Sequence, residues 1–342
     1  MESNFLSENH ISLVEDLKGA FLRIGKKALF VVDRSVYDLY APIRSFLEGR
    51  SFLLLEVSEE AKTLATVERV YGFLLEHHVG KEPLVAIGGG ITGDIAGFAS
   101  GTFKRGIPFI LVPTTIVSQC DSAVGGKTGV NFNGFKNYIG LFHKPEEIIL
   151  WDGFLKTLDA HELRNGYGEL LKYGLIGDPS ILDDLKKEVL DEKTLQGMVM
   201  KGLRVKAALV KADYRDEGLR NILNFGHTVG HAIEADSGGH VSHGEAVGIG
   251  LVAECILSME MLGLRYAVVE ETRSILKHLG MEERYRIKDR ERFLSAITKD
   301  KKNDEHVRLT LLEEIGKPRV RVAVPPEKIM EVMEEGMDDF DR

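Results

Sequence analysis

The sequence predicts two domains, an α/β domain with a parallel sheet followed by a mainly α-helical domain. Short, continuously apolar runs alternate with helical patterns as far as Asp152, which is typical of a parallel sheet covered by helices on both faces. Beyond Asp152 the strand-like runs largely stop, and helical patterns dominate to about Leu279. A chain of 342 residues also exceeds the usual size of one domain. We therefore expect domains at 1–152 and 153–342.

Composition limits the class of function. An apolar share of 44% and a charged share of 28% are typical of a globular protein. A net charge of −9 without a Lys/Arg-rich block argues against nucleic acid or a membrane surface as the partner. Cys120 and Cys255 cannot form a disulfide framework, the N-terminus lacks a signal-peptide pattern, and no apolar run approaches the roughly 20 residues of a membrane helix. We expect a cytoplasmic enzyme with a small-molecule substrate.

The first domain is predicted to alternate strands and helices. The strands are expected at 28–33, 52–57, 84–87, 107–112 and in EIILWD ending at 152, and the helices at 35–46 and 61–78. The third strand runs into GGGITGDIAGF, a glycine-rich turn whose backbone N–H groups could approach a pyrophosphate. Its spacing is not G-x-G-x-x-G, and purely structural glycines are the alternative. Asp33 and Glu59, each after a strand, could bind ribose hydroxyls or could be solvated loop carboxylates.

A ligand is also expected where the fourth strand ends, at Thr114 and Thr115. The following stretch, QCDSAVGGKTGVNFNGFKNYIG, is too rich in glycine for a helix and is interpreted as a long loop. Its polar groups would suit a small anionic substrate, although loops are also polar for solvation alone. They are Asp121, Lys127, Lys136 and Asn137.

The second domain begins with a helix that contains RNGYGELLKYGLI. Glu169 and Lys172 are spaced i, i+3 on it, and their plain interpretation is an exposed salt bridge. Gly166, Gly168 and Gly174 would weaken this helix, so close packing or a ligand is expected there. A helix after residue 194 supplies Lys206, and a small β-hairpin is expected near the C-terminal end, after residue 306.

The stretch NILNFGHTVGHAIEADSGGHVSHGE contains four of the eleven histidines. His227 and His231 are four residues apart and would share one helical face, while His243 follows two glycines that allow the chain to turn back. Imidazoles with one carboxylate are typical ligands of catalytic zinc. The alternative is a pair of surface histidines on an amphipathic helix.

Taken together, these motifs resemble the 3-dehydroquinate synthase family of the sugar phosphate cyclase superfamily over nearly the whole chain. The motifs are GGGITGDIAGF, FKRG, PTT, DSAVGGKTGVN, KN, GYGELLKYG, GLRNILNFGHTVGHAIE, HGEAV and DKK. The resemblance implies an N-terminal Rossmann-like parallel-sheet domain that binds NAD⁺, a C-terminal α-helical domain that binds Zn²⁺ or Co²⁺, and a homodimer. It also implies conversion of 3-deoxy-D-arabino-heptulosonate 7-phosphate to 3-dehydroquinate and phosphate in the shikimate pathway, by transient oxidation, phosphate elimination, reduction and aldol closure.

The resemblance also implies roles for individual residues. Glu169, His227 and His243 match the metal ligands, so that His231 becomes a proton-transfer residue beside the substrate and not the second ligand of an i, i+4 pair. The implied substrate-binding residues are Lys127, Asn137, Lys172, Lys206, Arg220, Asn224 and Lys301, in preference to Lys302, with Arg105 reaching the phosphate from a partner subunit. Asp121 matches a residue that links cofactor and active site, and Asp216 matches an acidic position behind the residues that contact substrate. The implied NAD⁺-binding residues are Asp33, Glu59, Lys62, Gly89, Gly90, Asp94, Thr114, Thr115, Asp121, Lys127, Lys136, Phe154, Thr157, Leu158 and Glu162.

The sequence departs from the family pattern at three places, and two rival enzyme classes are considered. Gly168 stands where the family usually has alanine, Asp159 stands where proline is usual, and the region of Glu59 lacks the usual glycine. The nearer rival is another sugar phosphate cyclase, of the 2-epi-5-epi-valiolone or 2-deoxy-scyllo-inosose type. The other rival is a metal- and NAD-dependent polyol dehydrogenase of the glycerol dehydrogenase type. The cationic residues favour a substrate that carries both carboxylate and phosphate, which neither rival requires.

Overall fold

A computed structural model describes residues 2–298 and 306–336. The chain divides into two compact units, Met1–Thr157 and Leu158–Arg342. The predicted boundary lies at 152 and the boundary between the units at 157. The binding roles assigned to the two predicted domains stay predictions.

The first unit is an α/β structure, as predicted. Its strands are β1 Ile11–Leu13, β2 Leu29–Asp33, β3 Phe52–Leu55, β4 Leu84–Gly88, β5 Phe109–Pro113, β6 Lys127–Phe132, β7 Phe135–Phe142 and β8 Glu147–Leu150. Its α-helices are α1 Glu2–Glu8, α2 Leu17–Arg23, α3 Arg34–Leu39, α4 Ala41–Leu47, α5 Leu64–Glu76 and α6 Gly90–Thr102. Short 3₁₀ segments occupy Phe103–Arg105 and Asp152–Thr157, and a π-helical turn occupies Ser118–Ser122.

Six of these strands form one parallel sheet in the order β1-β8-β5-β4-β2-β3. The chain leaves β2 for β3 on one side and returns to β4 on the other, so the direction of strand order reverses between β2 and β4. Open α/β sheets bind ligands beyond the carboxyl ends of the strands at such a point. Asp33 and the glycine-rich turn after Gly88 lie at these two strand ends.

The strands of this sheet are apolar without alternation because helices cover both faces. One face packs in a core that includes Phe21 of α2, Phe30 of β2, Ile43 of α4 and Ile87 of β4, each fully buried. Burial of such side chains stabilises the sheet by about 1.5–3 kcal/mol each. This rigid core fixes the strand ends that present the predicted ligand-binding residues.

Two predictions about the first unit are wrong. The helix expected at 35–46 is two helices, α3 and α4, separated at Tyr40, which has extended backbone angles. Pro42 lacks the N–H that a continuous helix would need and its ring would clash with the preceding turn, so the helix restarts there. The stretch expected to be a loop contains the antiparallel hairpin β6–β7. Asn133 and Gly134 both have positive φ at its turn, the pattern favoured in tight hairpins.

The second unit is mainly helical. Its helices are α7 Ala160–Ile176, α8 Ser180–Leu185, α9 Glu192–Ala212, α10 His227–Ser237, α11 His243–Leu262, α12 Tyr266–His278, α13 Arg290–Thr298 and α14 Pro326–Glu331, with a 3₁₀ segment Leu219–Asn224 and a π-helical turn Val332–Gly336. The predicted hairpin is present as β9 Val307–Glu314 and β10 Lys317–Val324. Helix α11 is the buried centre of the unit, because α7, α10, α12 and β9 all pack on it. Over the described residues, none of the helices combines the length and apolar character needed to cross a membrane.

Candidate metal centre and nucleotide pocket

Three predicted metal ligands converge in the second unit. Glu169 lies on α7, His227 is the first residue of α10, and His243 is the first residue of α11. One carboxylate oxygen, Oε1 of Glu169, lies 3.2 Å from Nε2 of His227 and 3.2 Å from Nε2 of His243. All three ligand atoms lie within 4.8 Å of one another. Three donors from three helices therefore face one point.

This spacing fits a metal ion. Tetrahedral zinc has nitrogen and oxygen ligands at about 2.0–2.2 Å, which places two ligand atoms about 3.3–3.6 Å apart. The 3.2 Å separations at Glu169 are close to that range. Two imidazoles and one carboxylate also leave a fourth position open, as in catalytic zinc sites. The carbonyl oxygen of Phe225 lies 3.2 Å from Nδ1 of His227 and orients the imidazole ring, so that the other ring nitrogen faces Glu169.

The electrostatics of the three residues agree with cation binding. Burial opposes ionisation of Glu169, but Lys172 and the two imidazoles hold the pKa of this carboxyl well below its usual value. Burial, aided by Lys172, lowers the pKa of His227 and keeps it in the neutral form that binds metals. Burial also acts to lower the pKa of His243, yet hydrogen bonds to Glu169 and Glu234 raise it to about 10. The carboxylates thus stabilise positive charge at His243, whereas Lys172 opposes it at His227.

Glu169 and Lys172 form a buried ion pair. Their side chains are 1% and 2% exposed and their charged atoms lie 2.5 Å apart, so the interpretation of this pair as an exposed salt bridge is wrong. Lys172 also lies 4.8 Å from the ring centre of Tyr173. A buried ion pair is costly to form unless both charges are well satisfied, and such pairs are common at functional sites. This arrangement therefore favours a binding role for Lys172 over a solvated one.

Close packing of glycines brings the ligand-bearing helices together. A Cβ on Gly168 would lie 2.1 Å from the carbonyl oxygen of Gly244, and one on Gly250 would lie 2.0 Å from that of Gly226. A Cβ on Gly174 would lie 2.5 Å from a methyl group of Leu182. The expectation that packing explains Gly168 and Gly174 is confirmed. Helices α7 and α10 approach the backbone of α11 at distances that a side chain would prevent.

His231 lies on the same side of α10 as His227, with ring centres 5.5 Å apart, and its own side chain is exposed. The i, i+4 spacing thus brings the two rings together as expected. The residues whose ligand atoms could share one metal ion with His227, however, are Glu169 and His243. His231 belongs to a second possible group with Glu234 and His243. Its proton-transfer role stays a prediction.

Two acidic residues near the ligands were missed in the sequence. Oε2 of Glu234 lies 3.4 Å from Nδ1 of His243, a contact that orients the ring. Glu254 is fully buried on α11 and accepts the backbone N–H of Gly226, at 2.6 Å, at the start of α10. Spacing could have identified Glu234, because it lies seven residues after His227 and therefore on the same helical face. Glu254 could have been noticed as a lone charge in the apolar run from 246 to 257.

Other predicted substrate-binding residues lie on elements that pack together. Lys172 is on α7, Lys206 is buried on α9, and Arg220 is buried in the 3₁₀ segment, and these three elements contact one another. Nη1 of Arg220 donates to the carbonyl of Tyr214 at 3.1 Å. Asn224 is exposed at the end of the 3₁₀ segment, and its amide lies 3.3 Å from that of Asn221. Lys301 and Lys302 lie outside the described residues.

The turn before Arg220 is organised by Asp213. Its carboxylate accepts three backbone N–H groups, from Glu217 at 2.9 Å, Gly218 at 2.8 Å and Arg220 at 3.0 Å. Hydrogen bonds from the N–H groups of Arg220, Glu217 and Gly218 lower the pKa of Asp213 to about 2. Asp216, one of the predicted site residues, has a positive φ of 60° in the same turn. The turn is thus held in one conformation that places Arg220.

In the first unit, the glycine-rich turn borders a small pocket. Gly89 and Gly90 begin α6 without side chains, and a Cβ on Gly90 would lie 3.2 Å from the hydroxyl of Ser122. The predicted residues Asp94 and Lys127 also line this pocket. Backbone N–H groups at a helix N-terminus favour phosphate. The pocket therefore has the chemistry expected for a pyrophosphate.

Lys62 connects the glycine-rich helix to the hairpin. Its buried ammonium donates to the carboxylate of Asp94 at 2.5 Å and to the side-chain oxygen of Asn137 at 2.5 Å. The main-chain N–H of Asn137, a residue with positive φ, donates to the side chain of Asn131. Three residues predicted for cofactor or substrate binding are therefore brought together here.

The remaining predicted cofactor-binding residues of the first unit have structural partners. Asp33 caps α3 by accepting the N–H of Ser35 at 2.9 Å, and Oε1 of Glu59 accepts from Asn131 at 2.7 Å, so neither is simply a solvated carboxylate. The other predicted cofactor-binding residues lie as follows: Thr114 and Thr115 follow β5, Asp121 is in the π-helical turn, Lys136 is exposed on β7, Phe154 is buried, and Thr157 contacts the hydroxyl of Tyr40. Arg105, predicted to reach the substrate phosphate of a partner subunit, is exposed with a φ of 67°.

At the start of the second unit, Leu158 precedes α7 and Glu162 lies in its first turn. Asp159, which departs from the usual proline, caps this helix by accepting the N–H of Glu162 at 2.9 Å. An aspartate N-cap stabilises a helix by typically ~1 kcal/mol. The departure therefore preserves the start of the helix that carries Glu169.

Comparison with known families decides the assignment. The family model described as 3-dehydroquinate synthase N-terminal matches residues 52–165, and the one described as 3-dehydroquinate synthase C-terminal matches residues 166–303. The chain belongs to the 3-dehydroquinate synthase family. The 3-dehydroquinate synthase of Clostridium tetani (strain Massachusetts / E88) is 37% identical over 334 residues, covering 95% of this chain and 88% of the relative. The resemblance read from the motifs is confirmed, and members of the 3-dehydroquinate synthase family are enzymes.

Solved structures agree with this family assignment. The 2-epi-5-epi-valiolone synthase from Streptomyces hygroscopicus subsp. jinggangensis 5008, with NAD⁺ and Zn²⁺ bound, is similar with a TM-score of 0.85 and 26% identity, covering 94% of each chain. A 2-deoxy-scyllo-inosose synthase complexed with carbaglucose-6-phosphate, NAD⁺ and Co²⁺ is similar with a TM-score of 0.86 and 25% identity, covering 95% of this chain and 96% of the other. The predicted fold class, an α/β sheet unit followed by a mainly helical unit as in 3-dehydroquinate synthase, is confirmed.

Proposed function

We propose that the protein converts 3-deoxy-D-arabino-heptulosonate 7-phosphate to 3-dehydroquinate and phosphate, a step of aromatic amino acid biosynthesis. The observation that carries this proposal is the group Glu169, His227 and His243 in a chain that is 37% identical to a 3-dehydroquinate synthase over 334 residues. A site of this donor set with an open position suits a substrate whose hydroxyl oxygens must be polarised. The reaction needs oxidation, elimination, reduction and aldol closure in one active site.

The metal would be Zn²⁺ or Co²⁺, ligated by Glu169, His227 and His243, and it would supply Lewis-acid polarisation of substrate oxygens. Support comes from the ligand spacing. Despite burial, hydrogen bonds to Glu169 and Glu234 raise the pKa of His243 to about 10, so this residue must release a proton before it can ligate. Metal binding should therefore release protons and weaken as the pH falls.

NAD⁺ would be bound by the first unit, with its pyrophosphate at the turn of Gly89 and Gly90 and the N-terminus of α6. Bound NAD⁺ would supply reversible hydride transfer. Lys62 would hold Asp94 and Asn137 in place around this pocket, since its buried ammonium contacts both. Asp33 lies at the strand end next to the reversal of strand order, where a ribose is expected.

The substrate would be an anionic sugar phosphate bound by cationic side chains. Lys172, Lys206 and Arg220 are buried on mutually packed elements, where charge–charge contacts are stronger than at a surface. His231 would transfer a proton at the reacting oxygen and phosphate, because its exposed imidazole lies beside the ligand His227. The predicted roles of Lys127, Asn137, Asn224, Asp121 and Asp216 belong to this proposal.

The decisive assay measures phosphate release from the heptulosonate phosphate with catalytic amounts of NAD⁺. The expected result is many turnovers per NAD⁺ with no lasting rise in NADH absorbance, loss of activity on chelation, and recovery with Zn²⁺ or Co²⁺. Lasting NADH formation with glycerol would place the protein among the polyol dehydrogenases. Turnover of a sugar phosphate that lacks a carboxylate, without turnover of the heptulosonate phosphate, would favour another sugar phosphate cyclase.

We also propose a homodimer and a cytoplasmic location. The dimer would explain Arg105, an exposed cation held on a strained turn, as a phosphate ligand of the partner's site. Light scattering at micromolar concentration should give twice the monomer mass, and Arg105→Ala should raise KM for the phosphorylated substrate without changing that mass. A monomer with full activity would contradict the dimer and the role of Arg105 together.

A further inference from the structure

Helix α10 begins without a capping side chain of its own. Its N-cap residue is Gly226, which has a left-handed φ of 80° and offers no side-chain acceptor to the first N–H groups of the helix. The first turn of a helix leaves several backbone N–H groups unsatisfied, and Ser, Thr, Asp or Asn usually accept one of them. His227, a proposed metal ligand, is the first residue of this helix. The conformation of the first turn therefore decides where its imidazole lies.

Glu254 from α11 supplies the missing acceptor. Its Oε2 accepts the N–H of Gly226 at 2.6 Å, and its Oε1 accepts the N–H of Val229 at 3.5 Å. The N–H of Thr228 also contacts this carboxylate. These hydrogen bonds lie on both sides of His227 along the chain. One carboxylate thus fixes the backbone immediately before and after the ligand.

The position of Glu254 is unusual for a residue with only a packing role. The side chain is 0% exposed, and within the described residues its carboxyl oxygens accept hydrogen bonds from backbone N–H groups. Burial of a carboxyl is unfavourable, so a residue of this kind in an apolar helix needs compensating contacts. The N-terminal end of α10 provides them. Burial raises the pKa of Glu254 to about 8, and hydrogen bonds from backbone N–H groups at this end of the helix act against that rise.

Gly250 brings this carboxylate within reach. A Cβ on Gly250 would lie 2.0 Å from the carbonyl oxygen of Gly226, so α11 contacts the start of α10 directly, one turn before Glu254. The same helix α11 carries the ligand His243 at its first position. Helix α11 therefore contributes to the metal site twice, through His243 as a ligand and through Glu254 as an anchor for the turn that carries His227.

We propose that Glu254 is a positioning residue for the metal site, which sets the geometry of His227 by capping α10 from the neighbouring helix. This inference rests on the proposed function, since it requires Glu169, His227 and His243 to bind a metal ion. Glu254 itself contacts neither metal nor substrate. Glu254→Gln keeps the shape of the side chain but replaces one of the two acceptor oxygens with an NH₂ group. The N–H group that faces this NH₂ group, of Gly226 or of Val229, then loses its acceptor.

The test compares metal affinity with stability in the full-length chain. Metal is removed, Co²⁺ is titrated while its visible absorption bands are recorded, and thermal unfolding of the metal-free protein is measured separately. The matched control is Ser258→Ala, one turn along α11. The buried Ser258 hydroxyl accepts the N–H of Leu312 in β9 and donates to the backbone carbonyl of Glu254, so its loss removes hydrogen bonds beside Glu254 but leaves the Glu254 carboxyl group unchanged. Both variants should lower the unfolding temperature.

Glu254→Gln should weaken Co²⁺ binding ~10–100-fold, the usual effect of losing a residue that supports a metal ligand, and should change the Co²⁺ bands at saturation. Ser258→Ala should bind Co²⁺ as the unchanged protein does. If Glu254→Gln fails to fold, Glu254→Asp, whose carboxylate is one methylene farther from Gly226, serves the comparison and should also bind Co²⁺ more weakly.

Co²⁺ affinity and bands equal to those of the unchanged protein, in a folded variant of Glu254, would overturn the inference and leave the proposed metal site intact. Equal losses of affinity in the Glu254 and Ser258 variants would also overturn it, because they would indicate a general effect of stability. If the unchanged protein bound neither Co²⁺ nor Zn²⁺, the proposed metal site itself would be wrong. The proposed role of Glu254 would then be wrong as well, because it depends on that site.

Discussion

Gly244 offers the sharpest test of how the fold positions the metal ligands. It follows His243 at the start of α11, and its N–H donates to the side chain of Asn165 at 3.0 Å. A Cβ at this position would lie 2.2 Å from the carbonyl oxygen and 2.4 Å from the Cα of Asn165 on α7. Ordinary contact begins near 3.4 Å. Gly244→Ala must therefore separate α7 from α11 by about 1.2 Å, the difference between 3.4 and 2.2 Å.

The separation would act on stability and on the ligands together. Overpacking against backbone, which cannot rotate away, costs about 1–3 kcal/mol. Glu169 lies one helical turn after Asn165, so the same movement would lengthen the 3.2 Å separation between Oε1 of Glu169 and Nε2 of His243 to more than 4 Å. That exceeds the roughly 3.3–3.6 Å between ligands of tetrahedral zinc. We expect weaker metal binding and a loss of turnover on the order of 10²-fold, as for other displacements of about 1 Å.

Gly197→Ala is the matched control. Gly197 lies inside α9, and no atom lies within 4 Å of a Cβ built there. This variant should gain about 0.5–1 kcal/mol, because glycine is unfavourable inside a helix, and should bind metal normally. Thermal unfolding with and without chelator, together with Zn²⁺ titration, measures both effects. A Gly244→Ala protein with unchanged stability and unchanged Zn²⁺ affinity would refute the reasoning about helix separation.

Three further predictions concern residues already placed. His231→Ala should keep about one metal per site but lose turnover by ~10²–10⁴-fold, the usual size of an acid–base contribution. His227→Ala should lose the metal, as measured by elemental analysis. Loss of metal from the His231 variant would instead indicate that His227 and His231 are the ligand pair. Asp213→Asn should raise KM through Arg220. Hydrogen bonds from backbone N–H groups lower the pKa of Asp213 from 3.8 to about 2 on folding, so the stabilisation by its carboxylate is complete above pH 3.8 and is lost as the pH falls through 2. The difference in stability between the unchanged protein and Asp213→Asn should therefore shrink in acid unfolding curves over this pH range. A difference in stability that does not change with pH would contradict this. Lys62→Met should weaken NAD⁺ binding in calorimetric titrations, because Asp94 and Asn137 lose their shared partner, and unaltered affinity would remove Lys62 from the site.

The sequence predicted the first unit well wherever local patterns decide structure. Apolar runs without alternation identified the strands of the parallel sheet, and the glycine-rich stretch identified the turn after β4. The hairpin β6–β7 was missed because the high glycine content of this stretch was taken to indicate a loop. Asn133-Gly134 is a strong signal for a tight hairpin turn, but the many other glycines obscured it. The interrupted helix at Tyr40 was missed because the apolar pattern continues across Pro42.

The proposed metal site could be predicted only in part from spacing. An i, i+4 pair is visible in one helix, and it drew attention to His227 and His231, but a ligand on another helix has no local signal. Glu169 was identified as a ligand by resemblance, whereas His243 was already a candidate because it follows two glycines that allow the chain to turn back. Their convergence depends on packing between helices that are far apart in the sequence. The sequence does contain a trace of this packing, since the glycines of α7 looked unfavourable for a helix before their neighbours were known.

The carboxylates near the proposed metal ligands were overlooked in the sequence for a physical reason. A metal ligand histidine is conspicuous in a sequence, whereas the groups that orient it are ordinary acidic residues whose burial is visible only in the fold. Glu234 contacts His243 and Glu254 caps the turn of His227, and both lie on the antiparallel helix pair that carries these ligands. A charge inside an apolar helical run, as Glu254 is, must find hydrogen bonds within the fold. Near a cluster of predicted ligands, such a charge therefore indicates a residue that positions one of them, and the Glu254 variants test that rule directly.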